Sequence, residues 1–488
     1  MTLRFRGGLF LATIASAVVI AGCSGDNAGT APTPPGAADL NADIVANRTL
    51  HAETTYTLTS FVHVEAPATL TIEPGTTIKG RTGSALFIMR GAKINATGRA
   101  DAPVVFTSDQ PVGSRKPGDW GGLVLIGNGI INRAGVVLLE GTGTPTSNPT
   151  IEYGNGTNNA DNSGVLRYVR VEFAGFGVAN DQELNSFTLA AVGSGTEIDH
   201  VQALGGLDDA FEWFGGAVDA RYLVSYETAD DHFDAAEGYV GRVQYMIAFQ
   251  STILEPRAGS GVLSSDPQGF EIDGCGSATA SGCTQGYNST PLNIPMFANF
   301  TMIGTGPNNA VQATSGGNGM VLRRGTGGYY VNGVVARWPR AAISLRDPET
   351  QTRITNGELL LKNISVVEIG VTAGTNAPVF EGGTACPAAN CRFTIDVGAN
   401  ALVSEAGTVT TGTTFAAIPL TTVEPTAATL DFSLATNAAA RTGGTGAFTG
   451  TLATKGGTVA IGTTFRGAWS PDGSTGKWWQ GWTNYARR

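Results

Sequence analysis

Charge is scarce in this chain. Only 14% of its 488 residues are Asp, Glu, Lys or Arg, and those charges lean acidic, with a formal net charge of −10. That balance excludes the basic surface that nucleic-acid phosphates require, so no nucleic-acid partner is expected. Beyond the first two dozen residues no apolar stretch is long enough to span a bilayer, and no segment shows the 3.6-residue period or the heptads of a helical protein. No Walker loop, His-Glu-x-x-His or Gly-x-Ser-x-Gly motif occurs. Histidine is rare, and His51, His63, His200 and His232 are too dispersed along the chain to suggest a zinc site. Cysteine is rarer still for the length, with 5 residues.

What the chain has in abundance is glycine, 68 residues, together with threonine and short β-rich segments. Few charges, many Gly and Thr and no helical period point to an all-β solenoid. Its first residues have a different purpose. Arg4 and Arg6 precede an apolar run from Leu9 to Ile20, followed by Ala21-Gly22-Cys23, the order of an export signal too short for a comfortable membrane span. Ile-Ala-Gly-Cys resembles the bacterial lipobox, which implies a signal peptide over 1–22, lipidation of Cys23 and an outer-membrane, cell-surface or extracellular address. Ser24, in place of an aspartate, favours the outer membrane, and an ordinary secretory signal with an incidental cysteine is the alternative. The remaining cysteines fall into close pairs, Cys275 with Cys283 and Cys386 with Cys391. In an oxidising compartment these read as two loop-closing disulfides; metal thiolates are the other reading, without a Cys-x-x-Cys to support it. Residues 23–47, rich in Gly, Ala, Thr, Pro and Asn, read as a lipidated tether, with the folded body expected from Arg48.

The body repeats. Aligning the residue that opens each short apolar strand gives Tyr168, His200, Tyr222, Gln244, Asn299, Asn332 and Asn363, at steps of 32, 22, 22, 55, 33 and 31 residues. A minimum step of 22 with larger steps swollen by insertions is the arithmetic of a parallel β-helix, with the longest step expected to hold one further coil. The three late asparagines predict an internal ladder of amides bonding from coil to coil. A second alignment supports the register: Asp-Asp-Ala-Phe-Glu at 208–212, Asp-Asp-His-Phe-Asp at 230–234 and Pro-Gln-Gly-Phe-Glu at 267–271. If Phe211, Phe233 and Phe270 stack inside, alternation turns Glu212, Asp234 and Glu271 outward. The body is therefore read as a parallel β-helix over 48–400, with terminal coils and a Trp-rich cap for the open end over 401–488.

LTIEPGTTIKG, GDWGGLVLIGNG at 118–129, SGVLRYVRVEFAG at 163–175, DDAFEWFGG at 208–216 and the closing FRGAW and WWQGWT together resemble a widespread, mostly uncharacterised group of bacterial surface lipoproteins. That group belongs with the right-handed parallel β-helix, pectin-lyase-like superfamily. The resemblance implies a fold and an address, and little chemistry, because that superfamily hosts lyases, hydrolases, adhesins and phage fibres.

Chemistry is concentrated on the acidic repeat. Coils stack about 4.8 Å apart, so Asp208 is expected near Asp230, Asp209 near Asp231 and Glu212 near Asp234, with Glu271 and Asp273 on the next match. Like charges that close need compensation. One reading has the Asp pairs bonding turn N–H groups, with Arg221, Arg242 or Arg257 neutralising the rest. A second has a hard cation, Ca²⁺, held by Asp208, Asp209, Asp230 and Asp231. The third is catalysis by paired carboxylates, although the Gly-His-Gly and Arg-Ile-Lys of polygalacturonase-like glycosidases are absent and His232 is the only histidine beside the acids. Arg323-Arg324 or Arg170 would be the base of a lyase, with nothing in the sequence to bring them near. Trp213, Tyr226 and Tyr239 are candidate sugar-stacking surfaces, or core. The expected function is a surface binding or scaffold protein, with polysaccharide as partner; a polysaccharide hydrolase or lyase using 208–273, and an accessory lipoprotein assisting another secreted protein, are the alternatives.

Overall fold

The computed structural model describes residues 36–143, 150–179, 182–276, 282–306, 316–367, 369 and 430–488, with strands at Phe380–Gly382, Leu402–Glu405 and Phe415–Ala417. The segment read as a signal peptide, Cys23 and the expected Cys386–Cys391 pairing lie outside the described residues.

Short alternating segments become strands because one side chain in two finds the interior. In Lys93–Thr97 the buried positions are Ile94 and Ala96, with Lys93 and Asn95 outside, and the same period of two runs through Thr54–Leu58. Each strand pairs in parallel with its counterpart about one circuit later. One sheet carries twelve rungs in sequence from Gly36–Leu40 to Leu402–Glu405, and a second carries ten from Phe61–Val64 to Phe380–Gly382. Twelve rungs among the described residues make a rod about 50 Å long at roughly 4.8 Å per rung. The chain is a right-handed parallel β-helix, as the repeat arithmetic predicts.

The body begins earlier than expected. Gly36–Leu40 lies within the segment assigned to the tether, yet pairs residue for residue with Thr54–Leu58. Its tether-like composition hides it, because its one fully buried apolar side chain is Leu40.

The corner of each coil is set by a single backbone conformation. Early coils have a separate third face, made by Arg48–Leu50, Thr69–Ile72 and Lys93–Thr97. From Gly164–Glu172 onward one long strand serves two faces: Gly164–Arg167 continues Lys93–Thr97, and Val169–Val171 continues Val104–Ser108. Between the halves sits Tyr168, with φ of 48°. The same left-handed residue recurs at His200, Tyr222, Tyr245, Asn299, Asn332 and Asn363, φ 53° to 67°. These are the sequence anchors with one correction: Tyr245, not Gln244, is the corner. A left-handed backbone costs a non-glycine residue roughly 1–2 kcal/mol, so each corner needs compensation from its neighbours.

That compensation comes from the C-terminal segment, which runs along the flank of the rod rather than over its end. Tyr168, His200, Tyr222 and Tyr245 stack in a column at centroid spacings of 4.5, 4.3 and 5.0 Å. Trp482 meets Tyr168 edge-on and Trp478 packs on Tyr222. Below them the asparagines bond the same segment. Asn299 Nδ2 donates to Thr463 Oγ1 and Gly467 O, Asn332 Oδ1 accepts from Thr445 N, and Asn363 Nδ2 donates to Thr445 Oγ1. Of the expected amide ladder from coil to coil one bond is present, Gln244 Nε2 to Asn299 Oδ1 at 3.0 Å; otherwise these amides hold the tail, because left-handed corners turn them out of the strand, where the tail is the partner within reach. Gln202 and Gln244 extend the pattern, each exchanging two hydrogen bonds with the tail backbone, at Asn484 and Ile461.

Two further readings change. The 55-residue step contains no additional coil, since Arg242–Phe249 pairs directly with Met296–Ile303. Phe270–Asp273 is the second-sheet strand of that one circuit, and the excess length leaves as loops, one closed by the Cys275–Cys283 disulfide. The proposed sugar-stacking residues are core: Trp213, Tyr226 and Tyr239 are all 0% exposed. Trp213 lies two residues after Phe211 and so points to the same interior, stacked near Tyr239, while Tyr226 is covered by Tyr485 and Arg487.

Asn332 offers a clean test of the corner. Asn332→Gly keeps the φ of 58° without strain and loses only the tail bonds, for which about 1–2 kcal/mol is expected. Asn332→Ala adds left-handed strain and should cost about 1–2 kcal/mol more, read as the difference in thermal midpoint between the two variants.

Candidate functional site

The acidic repeat sits on the second sheet, where the sequence register holds. Phe187, Phe211, Phe233 and Phe270 stack inside at centroid distances of 4.9, 5.4 and 5.6 Å. Glu212 pairs across from Asp234, and Asp234 from Glu271. These acids point away from the core as alternation requires, yet they do not form an open row. Glu212 is 7% and Glu271 8% exposed. Asn185 Nδ2 donates to Glu212, and Arg323 donates to Asp273 at 2.7 Å and to Glu271. Arg324 Nη1 adds a 2.5 Å bond to Asp273. Arg323-Arg324 thus stand beside the acids, one coil on, whereas the arginines expected to neutralise them are engaged elsewhere: Arg221 with the tail carbonyls of Thr458 and Val459, Arg242 with Asp219, Arg257 with Asp119.

The second aspartate of each pair has a backbone task. Asn185 Oδ1 accepts from Asp209 N, Asp209 Oδ1 from Asp231 N, Asp231 Oδ1 from Gln268 N, and Gln268 Oε1 from Asn318 N, at 3.1, 2.8, 2.5 and 2.9 Å. Each of these residues lies two positions before the inward aromatic or methionine of its rung. Four side chains in a row therefore bind the turn of one coil to the next, satisfying N–H groups that burial would otherwise leave costly.

The first aspartates face outward. Asp208 and Asp230 line a cavity of about 250 Å³ with Glu183, Leu207, Ser264 and Ser265, closed on one side by the exposed Val262 and Leu263. Burial is the main cause that raises the carboxyls of Asp208, Asp209, Glu212, Asp231 and Asp234, and the neighbouring charge adds to it: Asp230 on Asp208, Asp231 on Asp209, Asp234 on Glu212, Glu271 on Asp231 and Asp234. Asp230 is pushed up by burial to about 7, against the Ser264 hydroxyl and Arg323, and Glu271 to about 8, against Arg323. His232 is 1% exposed, bonded to Ser225 Oγ at 2.6 Å and pushed down by burial to about 3. It is a neutral core residue, not an acid–base partner of the aspartates.

Two overlapping groups, Asp208–Asp209–Asp230 and Asp209–Asp231–Asp234, bring a carboxylate oxygen from each member within 4.8 Å of the others. The donor set is all oxygen, the chemistry of a hard cation. One oxygen of Asp209 and one of Asp231 are committed to backbone N–H groups, and Asp234 Oδ1 and Glu271 Oε1 are buried with no hydrogen-bond partner. Such oxygens require a proton or a cation.

A family model for the pectate-lyase-like β-helix domain matches residues 42–416. The chain belongs to that family. No curated protein and no solved structure matches the chain, so within the pectate-lyase-like β-helix family its chemistry has to be argued from its own residues. Sequence reasoning identified the acids but missed Asn185, Gln268 and Asn318. The signal was present: Asn-Ser-Phe at 185–187, Asp-Ala-Phe at 209–211, Asp-His-Phe at 231–233 and Gln-Gly-Phe at 268–270 share an acceptor side chain two before the aromatic.

Asp231→Asn keeps the acceptor and removes a charge, so it should stabilise the fold at pH 8 by on the order of 1 kcal/mol, read as a higher thermal midpoint, with a smaller effect at pH 5. Asp231→Ala, which strands the Gln268 N–H, should lose about 1–3 kcal/mol at both. The native protein should carry the same signature. Acids whose folded pKa is raised hold protons that the unfolded chain releases, so stability falls as pH rises from about 4 and levels off above about 7 and 8, the values for Asp230 and Glu271. Melting from pH 5 to pH 9 checks this, the midpoint dropping up to about pH 8 and then flattening.

Proposed function

We propose that this chain is an exported, lipid-anchored β-helical protein of the bacterial surface that binds or scaffolds rather than cleaves, with Ca²⁺ in the acidic cluster and polysaccharide as its partner class. The observation that supports it most is the use already made of the acids. Asp209 and Asp231 accept turn N–H groups from the following coil, and Glu271 and Asp273 are engaged by Arg323. Those are structural duties, and a cation between the remaining oxygens would relieve the repulsion that the fold creates. Membership of a pectate-lyase-like family favours carbohydrate as the ligand class. Outer-membrane anchorage through Cys23 remains the reading of the lipobox.

A second reading has one observation in its favour. Asp230 opens on a cavity and is pushed up to about 7, where a carboxyl serves well as a general acid or base. Polysaccharide hydrolase or lyase chemistry would then centre on Asp208 and Asp230.

The two are separated with a panel of acidic and neutral polysaccharides, assayed with and without Ca²⁺ for binding and for new reducing ends or unsaturated uronate. Saturable binding without turnover is expected, and Ca²⁺ should raise the thermal midpoint at pH 8 in the native chain but not in Asp208→Asn/Asp230→Asn. Turnover abolished by that double substitution would replace the binding reading with the enzymatic one.

A further inference from the structure

A second cluster of ligand-type side chains lies where the second sheet begins, far along the sequence from the acidic repeat. His63 is on the first strand of that sheet, Phe61–Val64, with its imidazole outside the core and stacked on Phe87 of the next rung at 5.2 Å. Glu65 follows two residues later. Asp43 precedes Ile44, which bridges Val64, so the winding of the chain puts residues 20 positions apart side by side.

The three converge. Asp43 Oδ1 accepts from the backbone N–H of His63 at 2.9 Å and faces its ring Nδ1 at 2.8 Å. One ligand atom from each of Asp43, His63 and Glu65 lies within 4.8 Å of the others. His63 is only 7% exposed, and its other ring nitrogen, Nε2, is buried with no partner. With a carboxylate oxygen 2.8 Å from Nδ1, an ion taking the place of the proton between them would meet both donors at once, the ring proton then lying on Nε2. In front of the cluster is a cavity of about 440 Å³, lined also by Asn41, Ser60 and Thr150. It leaves room for water or an added ligand to complete a coordination sphere. Asp43 is exposed and Glu65 half-buried, which gives an ion a path in.

We propose that Asp43, His63 and Glu65 form an open-sided site for a divalent transition metal, of which zinc is the best fit. Two carboxylates and an imidazole neutralise a doubly charged ion. The nitrogen donor separates this site from the all-oxygen cluster at Asp208 and Asp230, because imidazole suits zinc and its neighbours whereas calcium takes oxygen. Three protein ligands facing a cavity is the pattern of a site that keeps a position for an exchangeable ligand, not of a closed structural one. The proposal is independent of the reading of the acidic cluster.

The test is a calorimetric titration of zinc chloride into the full chain at pH 7.5, in buffer holding excess Ca²⁺ so that the acidic cluster is saturated. One equivalent is expected to bind, with affinity at least tenfold weaker in His63→Gln and in Glu65→Gln. His51→Gln is the control, since the His51 ring lies on an exposed surface with Glu73 at 3.1 Å, and should leave binding unchanged. Circular dichroism of each variant separates loss of the site from loss of the fold, and Asp43→Asn, which can keep the bond to the His63 N–H, gives a second variant that should fold and bind weakly. Absence of a one-equivalent event in the native chain, zinc binding unaltered by His63→Gln, or zinc binding that follows His51 would overturn the proposal.

Discussion

The hydrogen bond from the turn of one coil to a side-chain oxygen of the coil before it is the interaction on which the rest of this structure depends. Turn N–H groups lie beyond the sheet ladders and are closed off from water, so each must find an acceptor. Asn185, Asp209, Asp231 and Gln268 provide one rung after rung. Because the acceptor is two residues from the inward aromatic, the same bond fixes which side chain enters the core. It also fixes which acids stack outside. The crowding of Glu212, Asp234 and Glu271 is thus a by-product of register before it is a site, and its electrostatics follow: buried carboxyls raised by desolvation and by each other, relieved on one side by Arg323.

Much of this was legible in the sequence, and the failures share a cause. The repeat, the inward phenylalanines and the outward acids follow from alternation and from a period of 22, both one-dimensional patterns. Misreadings arose where a residue's partner comes from another coil or from the far end of the chain. Trp213 looks like a surface aromatic in isolation and is interior because Phe211, two residues before it on one strand, sets its phase, and Tyr239 is interior because it stacks on Trp213 from the following coil. Arg323 has no sequence tie to Glu271 and reaches it only because Phe270–Asp273 and Asn318–Arg323 are neighbouring rungs. The four histidines do stay apart, but His63 has Asp43 for a neighbour, a residue distant along the chain and adjacent around the helix.

The corner residues show how backbone and sequence can decouple. Tyr, His and Asn have little in common as side chains, yet all seven corners share one left-handed conformation. Asparagine tolerates that region comparatively well, whereas tyrosine and histidine hold it within a stacked column that the C-terminal tryptophans cover. An alignment by residue type therefore finds three corners easily and misplaces a fourth, at Gln244 instead of Tyr245.

The tail has a consequence for how such a rod comes apart. A solenoid whose coils touch only their neighbours behaves as a one-dimensional array, and can fray from an end or open in the middle at little cost to distant parts. Here a single segment, 445–487, is fastened to rungs from Arg170 to Asn363. Those rungs share one clasp, so opening any of them strains contacts that belong to the others. The middle of the rod is in effect a single cooperative block, and it cannot be completed until residues 445–487 have been laid along its side.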